Sequence, residues 1–361
     1  MMFNKRHLVF TLALLVAVAL ALIFCASGPH ELEYRGRRLR EWVGELQYPS
    51  FTGEHREAAK ALREIGTNAV PWLIGELRAK DSLLTVKLRT LLQRQTWLKI
   101  RLREAASRRR LAALACRQLG PAAKQAIPAL TENLQIVDAS DPFNVPLALA
   151  AIGAESLPAL VGALTNQEER VRYAASAALG ELRAPAQPAV PMLVAMLTDK
   201  NETVRLYAAR SLGMIGGNGQ QAVPGLIHCL GDGSPPVRRQ AATALGAFPL
   251  EGTAAVPRLT ELLNDQDHEV RRCASVTLAR IDPQASLVAS AVPAMVNAFL
   301  DGDRPTRVAL AEAFASLGPQ ANPAVPILIS ALTDDDPEVR LAAARALKRI
   351  DPEAAVNAGV K

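Results

Sequence analysis

The chain has 361 residues, half of them hydrophobic, with a formal net charge of +6 and four cysteines. At that length a core of this composition stands without a disulfide framework. An aromatic content of 4% leaves little to cradle a tetrapyrrole, and five scattered histidines with no Cys-x-x-Cys spacing supply no metal-ligand pattern.

The first predicted element covers residues 8–26, 19 nearly unbroken apolar residues with Thr11 as the one polar exception and with Lys5 and Arg6 before them. The run exceeds the roughly 7–15 apolar residues of a signal peptide and is long enough to cross a bilayer. It is therefore expected to be a single-pass transmembrane signal anchor, with a cleaved signal peptide as the alternative. Leu22-Ile23-Phe24-Cys25 approximates a lipoprotein box, but Phe24 is bulky where a small residue is needed. Residues 1–7 are then a tail and 27–38 a juxtamembrane linker. Lys5 and Arg6 favour the body outside the cytoplasm, whereas Arg35, Arg37, Arg38 and Arg40 count the other way. A short tail before a long apolar run is the usual form of an exported protein, so the body is expected to be periplasmic or on the cell surface.

Helix pairs are expected from Leu39 onward, irregular over residues 39–154. Pro71 and Pro128 lie 57 residues apart, and the gap holds a basic insert at about residues 80–105. Residues 76–120 carry twelve Lys and Arg against three acids, while residues 121–361 carry 20 basic against 25 acidic side chains. Three readings are open for the insert. It is an amphipathic helix on anionic lipid, with Lys87, Arg89, Arg94, Lys99, Arg101 and Arg103 facing the surface. It is a nucleic-acid patch. Or it packs along the body with its arginines meeting the acidic array. The last is favoured, because a charge run is more often a solvated face than a site, and no nucleic acid is expected.

From about residue 155 to 351 a unit of 33 residues recurs. Small-apolar-Pro triplets open it, as at Ala189-Val190-Pro191, Ala222-Val223-Pro224 and Ala324-Val325-Pro326. Proline is tolerated in a first helical turn, and apolar residues two and six positions later share one helix face. A polar loop and a second helical run follow. Gly180, Gly213, Gly246 and Gly318 fall near the ends of those second runs and are expected as C-terminal caps. No strand pattern appears. Two ladders keep the register: Arg172, Arg205, Arg238, Arg271, Arg307 and Arg340; and Asp199, Asp232, Asp265, Asp301 and Asp334. The last four of these arginines, and Arg205, each follow one of the acids by six residues.

The Ala-Val-Pro opening and the Asp…Val-Arg…Ala-Ala…Ala-Leu-Gly body resemble the short HEAT repeat of the phycobilisome-lyase type, closely over residues 155–351 and loosely over 39–154. The resemblance implies an all-α, right-handed α-solenoid of about eight to nine helix pairs, with residues 352–361 as a frayed tail. It implies that both ladders stack neighbouring units, and that the fold serves protein interaction with no particular partner. Enzymes also occur on the fold; its DNA glycosylases use a basic groove, whereas residues 121–361 are acidic on balance and Trp42, Trp72 and Trp97 all precede them. The iron-binding hydroxylases use repeated His-Glu pairs, of which only His30-Glu31 and His268-Glu269 occur here, and nothing singles out a bilin pocket for a lyase. No catalytic, metal or cofactor residue is expected.

Second helices of such arrays line an extended face. Steps of four from the residue after each ladder arginine give three variable columns. Their candidate protein-binding residues are Tyr173, Leu206, Arg210, Arg239, Arg272, Arg280, Arg345 and Arg349. The expected function is a membrane-tethered, non-catalytic scaffold that binds another protein. A bilin-lyase-like or metal-dependent enzyme and a lipid-surface binder are the alternatives.

Overall fold

The computed structural model describes residues 32–93, 104–134, 142–281 and 286–360. The expected span 8–26 and the basic residues Arg94, Lys99, Arg101 and Arg103 lie outside them. Among the described residues no helix is long and apolar enough to cross a membrane. The chain divides into two compact units, residues 1–129 and 130–361.

The first unit opens with an element that the sequence reading lacks. Inside the expected linker, β1 (Glu33–Tyr34) and β2 (Arg37–Arg38) form a hairpin in which Glu33 pairs with Arg38 and Tyr34 with Arg37. Arg35 and Gly36 between them have φ of 52° and 72°, as a two-residue turn between twisted strands requires. Two-residue strands are too short for alternation to register. The hairpin is held to α1 (Leu39–Glu45) by Trp42, whose Nε1 donates to the Tyr34 carbonyl at 3.1 Å while the Arg37 guanidinium lies 4.0 Å over its ring. Then come α2 (Gly53–Ile65), α3 (Val70–Leu77), α4 (Leu83–Gln93) and α5 (Ala105–Leu119). α2 packs on α1 and α5, and α3 on α5. Leu62, Leu73, Ala112 and Cys116 are fully buried there. α6 (Ile127–Leu134) straddles the boundary between the units.

The second unit continues with α7 (Asn144–Ile152) and six regular pairs: α8 (Leu157–Ala163) with α9 (Glu169–Leu182), α10 (Val190–Met196) with α11 (Glu202–Ile215), α12 (Gly219–Cys229) with α13 (Pro235–Leu245), α14 (Val256–Glu261) with α15 (His268–Arg280), α16 (Ser286–Leu300) with α17 (Arg304–Leu317), and α18 (Val325–Ala331) with α19 (Pro337–Ile350). The repeat prolines sit in the first turn of α8, α10, α14 and α18. Pro224 and Pro293 differ. They lie inside α12 and α16, because the preceding segment is already α-helical there. Successive second helices pack on one another, α9 on α11 and so on to α19. Their shared core is small-residue-rich: Ala174, Ala175, Ala178, Ala208, Ala241, Ala274 and Ala343 are fully buried. The tail is not frayed. It forms α20 (Pro352–Asn357), capped by Asp351, which accepts from the Ala354 amide, with Ala355 buried.

The ladders join consecutive units. Arg172 donates from Nε and Nη2 to Asp199 at 2.7 and 2.9 Å, and from Nη1 to the Asn166 and Gln167 carbonyls. Arg205 repeats this on Asp232, and Arg238 on Asp265. Each of these three arginines closes its own loop and grips the aspartate of the next unit with a two-point, charge-assisted fork. The aspartate in turn accepts the amide two residues on, as Asp199 does from Asn201. Next to it sits a second acidic or amide residue that the sequence reading passed over. Asn201, Asp267, Asp303 and Asp336 cap the second helices by accepting first-turn amides.

One ladder position is corrected. The unit after Arg271 is three residues longer, and α16 runs on to Leu300, so Asp301 is carried past the arginine and lies exposed. Arg271 meets the helix cap Asp303 instead, loosely, at 3.6 Å. Arg307 makes a single bond to Asp334 at 2.5 Å, and its Nε is buried without a partner.

Burial pushes the Asp199 carboxyl up, but hydrogen bonds from Arg172 and the Asn201 amide outweigh it and leave it below its ordinary value. Asp232 and Asp265 behave alike. A carboxyl depressed in the folded state contributes stability above its unfolded value, about 3.9, and loses it as pH falls through the lower folded value. Tm is therefore expected to be flat near neutrality and to fall below about pH 4, less steeply in Asp199→Asn. A melting series across that range checks this; a Tm unmoved by acid contradicts it.

Two of the four glycines expected as caps have another role. Gly180 and Gly213 lie within α9 and α11, where a Cβ would come within 2.6 Å of Ser211 Oγ and 2.8 Å of Ala244 Cα. They let adjacent second helices touch backbone to backbone. Ser211 Oγ donates to the Ser176 carbonyl across the same contact, at 2.7 Å. The left-handed caps are Gly66, Gly120, Gly216 and Gly318, with φ of 56–63°. Arg183 holds that same cap conformation at φ 57° and ψ −134°, in the place Gly216 takes one unit later. A side chain there is strained. Arg183→Gly is expected to stabilise the fold by about 1 kcal/mol, read as a rise in Tm.

Candidate functional site

Each second helix presents two kinds of side chain. On the ladder side Arg172, Arg205 and Arg238 make the same fork from unit to unit, and Arg271, Arg307 and Arg340 keep part of it. The column side changes from one second helix to the next.

At the start of the second unit Phe143, Tyr173 and Tyr207 form one ring cluster. Their centroids are 5.5, 5.6 and 5.7 Å apart, and the two tyrosines are stacked at 21°. All three are half-buried, with one side to solvent. Burial raises the Tyr173 hydroxyl's pKa, opposed by Arg170. Tyr173 follows the ladder Arg172 by one residue and Tyr207 follows Arg205 by two, so a fixed column includes the first and misses the second. Phe143 precedes the regular repeats and has no register signal.

Leu206 is half-buried beside this cluster in sequence, and Arg210 is exposed one turn beyond Tyr207 on α11. Arg239 on α13 and Arg280 on α15 are exposed, as are Arg345 and Arg349 on α19. The stem of Arg280 runs over Gly246, 3.3 Å from where a Cβ would be. Arg272 departs from the expected strip. It is half-buried and donates to Glu269 at 2.7 and 3.0 Å, so its guanidinium is already matched within α15. That bond, against an opposing burial effect, lowers the Glu269 carboxyl, and Arg239 and His268 lower it further.

Of the candidate lipid-facing cations, Lys87 and Arg89 lie on α4. Lys87 on α4 is exposed, but Arg89 is not a free lipid-facing cation. It lies 3.3 Å from Asp81 and 3.5 Å from Glu104, with 18% of its side chain exposed. Arg108 forks onto Glu76 with two bonds of 2.7 Å. The three acids of residues 76–120 are thus all matched by arginines of the same segment. Those acids stand within reach on α3 and in the loops on either side of α4.

No group of three His, Cys, Asp or Glu among the described residues is placed to hold a metal. His268 lies 3.7 Å from Glu269, which Arg272 already engages. Cys116, Cys229 and Cys273 are buried and unpaired with one another. Burial pushes the first two thiols up to about 12 and about 11, the behaviour of packing residues. A shallow polar cleft of about 400 Å³ between Asp199, Arg205, His228, Asp232 and Arg258 lies on the ladder side. Its Asp199, Arg205 and Asp232 are committed to the stacking bonds.

A family model described as HEAT repeats matches residues 157–246, 223–315 and 292–358. No curated protein matches the chain. Among solved structures, one engineered protein is 25% identical over 89% of this chain and 92% of its own, with a TM-score of 0.49. A second engineered protein is 26% identical over 54% and 98%, at 0.47. A designed armadillo repeat protein, solved in complex with the peptide (KR)4, is 21% identical over 54% and 99%, also at 0.47.

Proposed function

The chain belongs to the HEAT-repeat family, and from that premise we propose that it is a non-catalytic, membrane-tethered scaffold that captures another protein on its second-helix face. One observation carries the reading. Along the second helices the ladder position is always arginine, and Arg172, Arg205 and Arg238 are committed to the stacking forks, while the column residues vary and include exposed arginines and, on α9, the Tyr173 of an aromatic shelf. Repeat arrays offer extended faces of this kind. Tyrosine and arginine are also the side chains most often found at the energetic centre of protein interfaces. Residues 8–26, apolar and preceded by Lys5 and Arg6, support a single-pass tether with the body outside the cytoplasm. The fold by itself names no partner.

A photoreactive residue placed at Thr243, exposed on α13, tests the reading against one placed at Pro257, exposed on α14. With the anchor in its native membrane, Thr243 is expected to trap a discrete protein and Pro257 far less of it. Equal trapping from both positions, or none from Thr243, would overturn the assignment of the face.

A further inference from the structure

We propose that the second-helix face takes an extended acidic segment of the partner protein, with an aromatic side chain at the end that meets Phe143, Tyr173 and Tyr207. The proposal rests on the reading above and adds the chemistry of the partner.

Residues 121–361 carry more acids than bases, 25 against 20. Arg210, Arg239 and Arg280 are nonetheless exposed on consecutive second helices of the same face. None of the three is a ladder residue, so their place in the sequence is not explained by stacking. A basic strip on an acidic body selects an acidic ligand and repels a basic one. Packed helices stand roughly 8–10 Å apart, which an extended chain covers in about three residues. Arg210, Arg239 and Arg280 stand five, one and nine residues beyond their ladder arginines, so the strip also zigzags by about 6 and 12 Å along the helices, and carboxylates repeated at every third position of the segment bring one within side-chain reach of each arginine.

The ring cluster fixes the other end. Its three centroids lie within 5.7 Å of one another, so the rings are packed together and leave no slot between them. They form a half-exposed apolar shelf, one helical turn from Arg210 on the same helix. A shelf of closed rings accepts another ring edge-on or offset. It offers no run of separate rings on which successive bases could stack. A protein segment with one terminal ring fits both features; a nucleic acid fits the strip but not the shelf.

The test uses the full chain in detergent and fluorescent peptides twelve residues long. The reference peptide has tryptophan at one end and aspartate at every third position. Its relatives replace every aspartate with asparagine, or the tryptophan with serine. Fluorescence anisotropy is expected to show binding of the reference peptide that weakens roughly tenfold or more in the asparagine version. Arg210→Gln with Arg239→Gln should cause a similar loss with Tm unchanged. Tyr207→Ser should weaken the tryptophan peptide but leave the serine peptide as it was. Asparagine peptide binding as tightly as aspartate peptide overturns the proposal, as does an unchanged affinity in the double variant. Oligothymidine binding as tightly as the reference peptide also overturns it, in favour of a general anion site. If Thr243 traps a protein while no acidic peptide binds, the acidic-segment proposal fails and the scaffold reading stands. If neither occurs, both fail.

Discussion

Replacing Arg172 with alanine is expected to destabilise the second unit by about 3–5 kcal/mol, the largest effect of any single ladder change. Arg172 and Asp199 are 8% and 9% exposed. Alanine removes four hydrogen bonds at once and leaves the Asp199 carboxylate buried beside no cation. Breaking one partner of a buried pair is costly because the survivor keeps its desolvation penalty. The last ladder arginine is the internal control. Arg340 is exposed and bonds only its own loop carbonyls, so Arg340→Ala is expected to cost less than about 1 kcal/mol. Denaturant unfolding of the two variants checks the contrast. Because each unit contacts mainly its neighbours, the Arg172 variant should also lose cooperativity at the α9–α11 joint. Equal costs for the two variants would mean that the inter-unit forks contribute nothing beyond the loop bonds.

Gly213→Ala is the second large effect, and its sign opposes helix propensity. Alanine in a helix interior is normally favoured over glycine by about 1 kcal/mol. At Gly213 the new Cβ would stand 2.8 Å from Ala244 Cα and 2.9 Å from its Cβ. The neighbour is backbone and cannot swing away, so α11 and α13 must separate, at a net cost of about 1–3 kcal/mol. Gly162 is the matching control. It lies in α8, and a Cβ there meets nothing within 4 Å. Gly162→Ala is therefore expected to stabilise, by up to about 1 kcal/mol. Melting curves of both variants decide the point; stabilisation by Gly213→Ala would show that the helices do not touch there.

How much of this was legible in the sequence depended on range. The proline and arginine periods show the helix pairs, since both are local signals of a repeated unit. They also show that Asp199, Asp232 and Asp265 share a register with the arginines. They do not show that each fork reaches forward to the next unit, because a spacing of six within a unit and one of 27 between units coexist in the same ladder. The three-residue insertion before Arg307 was visible as a longer interval, yet its effect on Asp301 was not, since α16 absorbed the extra residues and moved the acid. Gly180 and Gly213 read as caps because they lie near helix ends, whereas their neighbours across the helix contact come from another unit. The aromatic shelf escaped for a related reason. Tyr173 and Tyr207 occupy positions that differ by one residue in register, and only packing brings them, with Phe143, to one place. The arginine strip was legible except for Arg272, whose match with Glu269 is a matter of rotamer and not of spacing.

The central claim is that the constant residues of each second helix stack the array while the variable ones bind. The most direct measurement is the photo-trapping yield at Thr243, compared between the unaltered chain and one carrying Arg239→Glu with Arg280→Glu. Tm is measured on the same samples. Both side chains are exposed and outside the ladders, so the yield is expected to fall roughly tenfold or more with no change in Tm. An unchanged yield in a fully folded variant would contradict the account.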